Sequence, residues 1–187
     1  HFRMPEGCEG KRVTLRFDGI AGNSTVYLNG CVMYHNFSAY NTFEIDISDY
    51  VLSDKDNVIA VYIDRSEWEG WWYQGGGIYR DVELIVTEKT TVSPLYYGTE
   101  GIMVHQTEVS KERVSGKVNI ALLGKKDSSH NITVDFLAPD GYVSLSKTVK
   151  AKIDDNLLSV PFTIENAELW SLGSPRLYTV RVTIGEE

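Results

Sequence analysis

Apolar residues recur at every second position in one short run after another: Val13, Leu15 and Phe17; Val26 and Leu28; Phe43, Ile45 and Ile47; Ile59, Val61 and Ile63; Val82, Leu84 and Val86. Successive side chains of an extended chain point to opposite faces, so each run places its apolar members on one face of a half-buried β-strand. The pattern resumes at Val118, Ile120 and Leu122; Ile132, Val134 and Phe136; Val143 and Leu145; Val160, Phe162 and Ile164; and Val180, Val182 and Ile184. No stretch of helical period competes with it. Turn residues bound the runs. Leu28-Asn29-Gly30-Cys31 predicts a two-residue hairpin, because Asn-Gly supplies the positive φ angles of a type I′ turn, and Asp140-Gly141 marks a second hairpin. Short strands broken by Gly, Asn, Asp and Pro predict all-β sandwiches rather than an α/β enzyme core.

One sandwich of immunoglobulin size does not use 187 residues, so two domains are expected. The boundary falls in Thr87-Glu88-Lys89-Thr90-Thr91-Val92-Ser93-Pro94, giving residues 1–88 and 92–187. A linker this short implies a fixed hinge. The net charge of −8 argues against nucleic acid and against anionic membranes as partners, because both are bound through basic patches. No apolar run is long enough to span a bilayer and no signal-peptide pattern occurs, so a soluble chain is expected, whether cytoplasmic, periplasmic or secreted. Cys8 and Cys31 are the only cysteines and lack metal-ligand spacing; they read as a disulfide or as two ordinary buried residues, the second being favoured in a chain with no cysteine framework.

The most distinctive stretch is Asp64-Arg65-Ser66-Glu67-Trp68-Glu69-Gly70-Trp71-Trp72-Tyr73-Gln74-Gly75-Gly76-Gly77-Ile78-Tyr79-Arg80. Three of the four tryptophans fall within five positions of it. Consecutive glycines permit a close approach of backbone to a neighbour, and the rings offer flat apolar faces. Two roles fit: the rings plug one end of a sandwich or a domain interface, or they form a platform for the C–H face of a pyranose whose hydroxyls find carboxylates nearby.

Catalytic machinery is expected to be absent. The four histidines, His1, His35, His105 and His130, stand apart without clustered partners, so no metal is expected. No Gly-x-Ser-x-Gly elbow or phosphate-binding Gly-x-x-x-x-Gly-Lys-Ser/Thr loop occurs, and no cofactor is expected. Glu67 and Glu69 lie two residues apart in the aromatic segment, but a retaining glycosidase holds its two carboxyls rigidly about 5–5.5 Å apart, which neighbours on one loop do not provide.

Trp72-Tyr73-x-Gly-x-Gly-Ile-Tyr-Arg-x-Val-x-Leu, ending at Leu84, resembles the end of the jelly-roll sugar-binding domain of family 2 of the glycoside hydrolases. Gly10 to Ile20, the hairpin Val26-Tyr27-Leu28-Asn29-Gly30, the stretch Tyr40, Phe43 and Asp46-Ile47-Ser48-Asp49-Tyr50, and Asp56-Asn57-Val58-Ile59-Ala60-Val61 resemble further motifs of that domain, in order. Glu168-Leu169-Trp170-Ser171-Leu172-Gly173-Ser174-Pro175-Arg176-Leu177-Tyr178 is similar to the run that closes the family's immunoglobulin-like domain. Departures fall in loops: Ser38-Ala39 for Gly-Gly, and Gln74 and Leu172 for proline.

The resemblance implies a galactose-binding-like jelly roll, incomplete at its N-terminus, followed by an immunoglobulin-like β-sandwich. It implies the non-catalytic N-terminal region of a β-galactosidase-like retaining glycosidase of carbohydrate metabolism, whose catalytic glutamates sit on a following (β/α)₈ barrel. The chain alone is then inactive. Its partners would be the terminal sugar of a β-glycoside and its own barrel, and an exposed strand edge leaves room for a homo-oligomer. A free-standing carbohydrate-binding or adhesion module is the alternative. Within the aromatic segment the resemblance implies that Glu69, Trp71 and Trp72 face the substrate, whereas Tyr73, Gly75, Gly77 and Arg80 are structural, Arg80 pairing with a carboxylate inside the sandwich.

Overall fold

Every alternating run in the sequence falls on strand, with Ile47 just past the end of its strand and one run divided between two. A computed structural model describes residues 1–66, 75–94, 96–97, 99–154 and 157–185. In chain order its strands are β1 (Arg12–Phe17), β2 (Ile20–Ala21), β3 (Asn23–Leu28), β4 (Cys31–Asn36), β5 (Phe43–Asp46), β6 (Ile59–Asp64), β7 (Gly77–Ile78) and β8 (Val82–Thr87). They continue as β9 (Thr91–Val92), β10 (Ile102–Val109), β11 (Arg113–Ile120), β12 (Leu122–Leu123), β13 (Ser129–Leu137), β14 (Val143–Lys152), β15 (Leu158–Glu165) and β16 (Thr179–Gly185). No helix occurs among the described residues, so the fold is all-β. The chain divides into two compact units, His1–Lys89 with Tyr97–Thr99, and Thr90–Tyr96 with Glu100–Glu187.

Two antiparallel three-stranded sheets, ordered β5-β1-β8 and β4-β3-β6, build the first unit, with β2 paired to β7 beside them. Val13, Leu15 and Phe17 of β1, Ile20 of β2, Val26 and Leu28 of β3, and Phe43, Ile45 and Ile47 share one core. At roughly 1.5–3 kcal/mol for each fully buried aliphatic or aromatic side chain, this shared face is the main source of the unit's stability. Phe43 stacks on its cross-strand partner Phe17, with centroids 5.1 Å apart, and on Tyr34 of the other sheet at 4.9 Å.

The hairpin joining β3 to β4 has the predicted form: Asn29 and Gly30 take φ of 51° and 84°, and Leu28 faces Cys31. Its asparagine also closes that end of the sandwich. The Asn29 amide donates to the Asn57 side-chain oxygen at 2.9 Å and to the Tyr50 carbonyl at 3.1 Å, while its oxygen accepts from Val58 N–H at 2.9 Å. Asn57, fully buried, also bonds Leu52 through its backbone N–H and C=O, each at 2.8 Å. A buried amide must be satisfied, and these bonds lock three chain segments together.

The second unit has sheets β10-β11-β15 and β14-β13-β16, with β12 paired to β9. Val114, Val118 and Ile120, Ile132, Val134 and Phe136, and Val160, Phe162 and Ile164 interleave in its core, where Phe136 meets Phe162 at 4.5 Å. The run Val118, Ile120 and Leu122 is shared between β11 and β12, so the chain changes pairing partner at Ala121. Asp140-Gly141 does turn β13 into β14, as a bulged connection in which Gly141 has φ of 87°. The cysteines differ from expectation in burial. Both are free, as the favoured reading has it, but neither is buried: Cys8 is half-buried and Cys31 is exposed beside the hairpin tip, at the start of a strand on the edge of its sheet.

Candidate functional site

Strand register brings three chain turns to one end of the first sandwich. β1 ends at Phe17, which pairs with Phe43 at the start of β5 and with Val82 at the start of β8. β4 ends at Asn36 opposite Ser24, and β6 ends at Asp64 opposite Asn23. The connections 18–22, 37–42 and 65–81 therefore emerge together, a strand's length from the Asn29–Asn57 lock. Strands of six residues rise about 3.3 Å per residue, so the two ends lie on the order of 17 Å apart.

The feet of the aromatic segment are built by pairing. At one foot, Asp64 accepts the Ser66 N–H at 2.8 Å, turning the chain out of β6; that bond holds the Asp64 carboxyl below its ordinary pKa. At the other, Gly77 and Ile78 pair with Ala21 and Ile20. The short run Ala21-Gly22-Asn23 thus pairs with both feet, Asn23 with Asp64 and Ala21 with Gly77. Arg65 fills the space beside it. A Cβ on Gly22 would come 2.6 Å from Arg65 Cδ, and one on Gly76 would come 2.8 Å from Arg65 Cγ, so both glycines make room for that stem. Gly77, at φ of 142°, takes a conformation that side chains rarely adopt, whereas a Cβ on Gly75 would meet nothing within 4 Å. Glu69, Trp71, Trp72 and Tyr73 lie outside the described residues.

Tyr79 is a structural residue that the sequence did not single out. Its ring lies against Gly19, where a Cβ would meet it at 2.9 Å, and its hydroxyl donates to the Ala39 carbonyl at 2.6 Å. It joins the aromatic segment's exit to the connection 37–42. The same connection is fixed by Asn36, buried, whose amide donates to the Ser38 carbonyl at 2.8 Å, and by the Thr42 hydroxyl on Asp18 at 3.4 Å. The signal available in the sequence was the Ser38-Ala39 departure from the family pattern, which lies at this tether. Phe37, Tyr40 and Tyr79 stand exposed around it.

Arg80 corrects an expectation. It is exposed, lies 5.2 Å from the Tyr79 ring centroid, and donates to the Asp18 backbone carbonyl at 3.4 Å instead of pairing with a carboxylate inside the sandwich. The physical reason is competition: the Asp18 carboxylate is engaged by Arg16 at 2.8 Å and by Thr42. The ion pair raises the Arg16 pKa, chiefly through that hydrogen bond. Among the described residues no group of three or more His, Cys, Asp or Glu could hold a metal, and no helix is long and apolar enough to cross a membrane.

Comparison with known proteins finds two family matches along the chain. The profile of the glycosyl hydrolases family 2 sugar binding domain matches residues 1–88, and a second glycosyl hydrolases family 2 profile matches residues 102–187. A β-galactosidase of Bacteroides ovatus is 28% identical over 96% of this chain and 21% of its own length. A β-glucuronidase of Bacteroides fragilis is 29% identical over 96% of this chain and 27% of its own length. The crystal structure of a β-glycosidase from Bacteroides vulgatus superimposes with a TM-score of 0.86 at 27% identity, covering all of this chain and 23% of that one. The chain spans between a fifth and somewhat over a quarter of the length of these curated relatives.

Proposed function

The chain belongs to family 2 of the glycosyl hydrolases, and from that premise we propose that it is the non-catalytic N-terminal region of a larger retaining β-glycosidase, one that removes a terminal β-galactoside. The observation that carries this reading is the succession of the two family domains along one chain, together with the convergence of the connections 18–22, 37–42 and 65–81 on one end of the first. Loops gathered at one end of a rigid sandwich are where such scaffolds place binding residues. In the parent enzyme this end frames the sugar pocket from the side, while the chemistry belongs to two carboxylates of a catalytic barrel. Glu69 reaches the sugar hydroxyls and Trp71 and Trp72 flank the ring; Tyr73, Gly75, Gly77 and Arg80 shape the segment that carries them.

The test compares the parent protein with the 187-residue chain on chromogenic β-galactosides and β-glucuronides. The parent is expected to turn over the galactoside at about 1–10³ per second and the chain alone to turn over nothing. Turnover by the chain alone, or a parent inert on every β-glycoside, overturns the reading. In the parent, Glu69→Ala should lower kcat/KM about 10- to 100-fold, the worth of one charged hydrogen bond of ~1.5–3 kcal/mol, with an unchanged melting temperature. Wild-type activity in both Glu69→Ala and Trp71→Ala would leave the segment a packing role only.

A further inference from the structure

The connection 37–42 has three features in combination. Its backbone is held at two successive carbonyls, by Asn36 on that of Ser38 and by Tyr79 on that of Ala39, and the Thr42 side chain bonds the Asp18 carboxylate at its far end. On this fixed backbone it exposes two large rings, Phe37 at 76% and Tyr40 at 62%. Beside them, the Ser38 hydroxyl, the Tyr40 hydroxyl and the Asn41 amide make no hydrogen bond among the described residues. Rings held by a pre-organised backbone cost little entropy to engage. An apolar partner surface closing over them would strand the free hydroxyls and the amide, at about 1–3 kcal/mol for each buried unsatisfied group. A pyranose does not incur that cost, because its C–H face covers a ring while its hydroxyls satisfy the neighbouring polar groups.

We propose that Phe37, Tyr40 and Asn41 form a further sugar contact on the first sandwich, taking an uncharged pyranose of a β-linked oligosaccharide. The preference for an uncharged sugar follows from composition: Phe37-Ser38-Ala39-Tyr40-Asn41-Thr42 holds no charged side chain, and the adjacent Asp18 carboxylate already has its partners, so a uronate gains nothing from this connection. The proposal rests on the sugar-handling role assigned above, and its test is independent of catalysis.

The chain itself is titrated with a β-1,4-linked galactotriose and, separately, with the corresponding uronic acid trisaccharide, while NMR shifts of residues 37–42 are followed. Galactotriose should give saturable shifts there, with Kd on the order of millimolar, and the uronide weaker ones. Phe37→Ala and Tyr40→Ala should each weaken galactotriose binding about tenfold. Their exposure means that the melting temperature should stay as in the wild type, and Tyr79→Phe, which keeps the ring and loses the tether, should weaken binding to a smaller extent. Saturable shifts confined to other parts of the first sandwich, or unchanged affinity in both alanine variants, overturn this contact while leaving the glycosidase reading intact. Tighter binding of the uronide overturns the preference for an uncharged sugar. No shift at 37–42 with either trisaccharide overturns the contact outright.

Discussion

The two sandwiches use the same alternation to different ends. In the second, a central strand such as β13 buries Ile132, Val134 and Phe136 completely or nearly so, and its outer face is closed by side chains that satisfy one another: Asp135 takes Ser146 at 2.6 Å and Arg181 at 2.7 Å, and Thr133 meets Thr148 at 2.9 Å. In the first, β1 and β3 are equally buried, and most edge strands of both units are less covered, as with Leu145 and Val149 of β14 and Val180, Val182 and Ile184 of β16 in the second. Ile59, Val61 and Ile63 of β6 and Leu84 of β8 remain only partly covered, and Val82 is exposed. What the first unit adds is order at its two ends from side-chain hydrogen bonds, those of Asn57 and Asn29 at one and of Asn36 and Tyr79 at the other. Both units are held by their central strands; the outer face of the second is laced by side-chain pairs, and the first secures its turns. Secured turns are what a scaffold needs where it must present loops, because a binding loop gains affinity when its backbone is ordered beforehand.

The largest effect that can test this contrast is the loss of a core ring. Phe17→Ala and Phe136→Ala each remove a buried phenyl group and should cost about 3–5 kcal/mol. If the units hold themselves together separately, each substitution lowers the unfolding midpoint of its own unit alone, read by hydrogen exchange resolved to residues. A single transition shifted equally by both would break the comparison.

Next in size is the lock at the end of the first sandwich. Asn57→Ala removes the buried amide and its bonds to Asn29 and to the Leu52 backbone, for about 2–3 kcal/mol. Thr133→Ala, on the outer face of the second unit, breaks an exposed pair and should cost no more than ~0.5–1 kcal/mol. Urea midpoints of the two variants decide it, and equal losses would mean that the locks are no more important than the faces. Tyr79→Phe should fall between them at about 1 kcal/mol, with faster amide exchange at residues 37–42 as its specific mark.

What the sequence made legible follows from which physical signals are local. Alternation is local, and so each apolar run was readable as a strand, as was the Asn29-Gly30 turn. Pairing order is not: nothing in Val13, Leu15 and Phe17 says that β1 lies between β5 and β8. Strands whose alternation is polar were invisible too, as with β10, where most side chains from His105 onward are exposed and a bulge falls between Gln106 and Glu108. At the site, the glycines announced a close approach, but not that the approaching group is the Arg65 stem at Gly22 and Gly76. The Arg80 partner is not legible in the sequence because charge pairing is settled by competition in three dimensions, and Arg16 holds the Asp18 carboxylate.

The smallest expected effect sets the two units against each other in acid. Glu44 of β5 lies opposite Arg16, which also faces Glu83 across β1, and one of its carboxyl oxygens is buried without a partner. Burial raises its pKa, Arg16 offsets this in part, and Asp18 adds to it. A raised carboxyl holds its proton more tightly in the folded state. The first unit therefore gains stability from this group as pH falls from the raised value towards the unfolded one near ~4.3. Asp135 runs the other way. Hydrogen bonds from Ser146 and then Arg181 lower its pKa, so its contribution is complete above the unfolded value near ~3.9 and is lost as pH falls through the folded one. In the acid range where these carboxyls titrate, the slope of stability against pH from Glu44 in the first unit should thus oppose that from Asp135 in the second. Glu44→Gln should remove the first slope and Asp135→Asn the second, each followed by hydrogen exchange in its own unit. If both substitutions change the slope in the same direction, the outer faces of the two sandwiches are electrostatically alike, and only the turns distinguish the unit that presents loops from the one that does not.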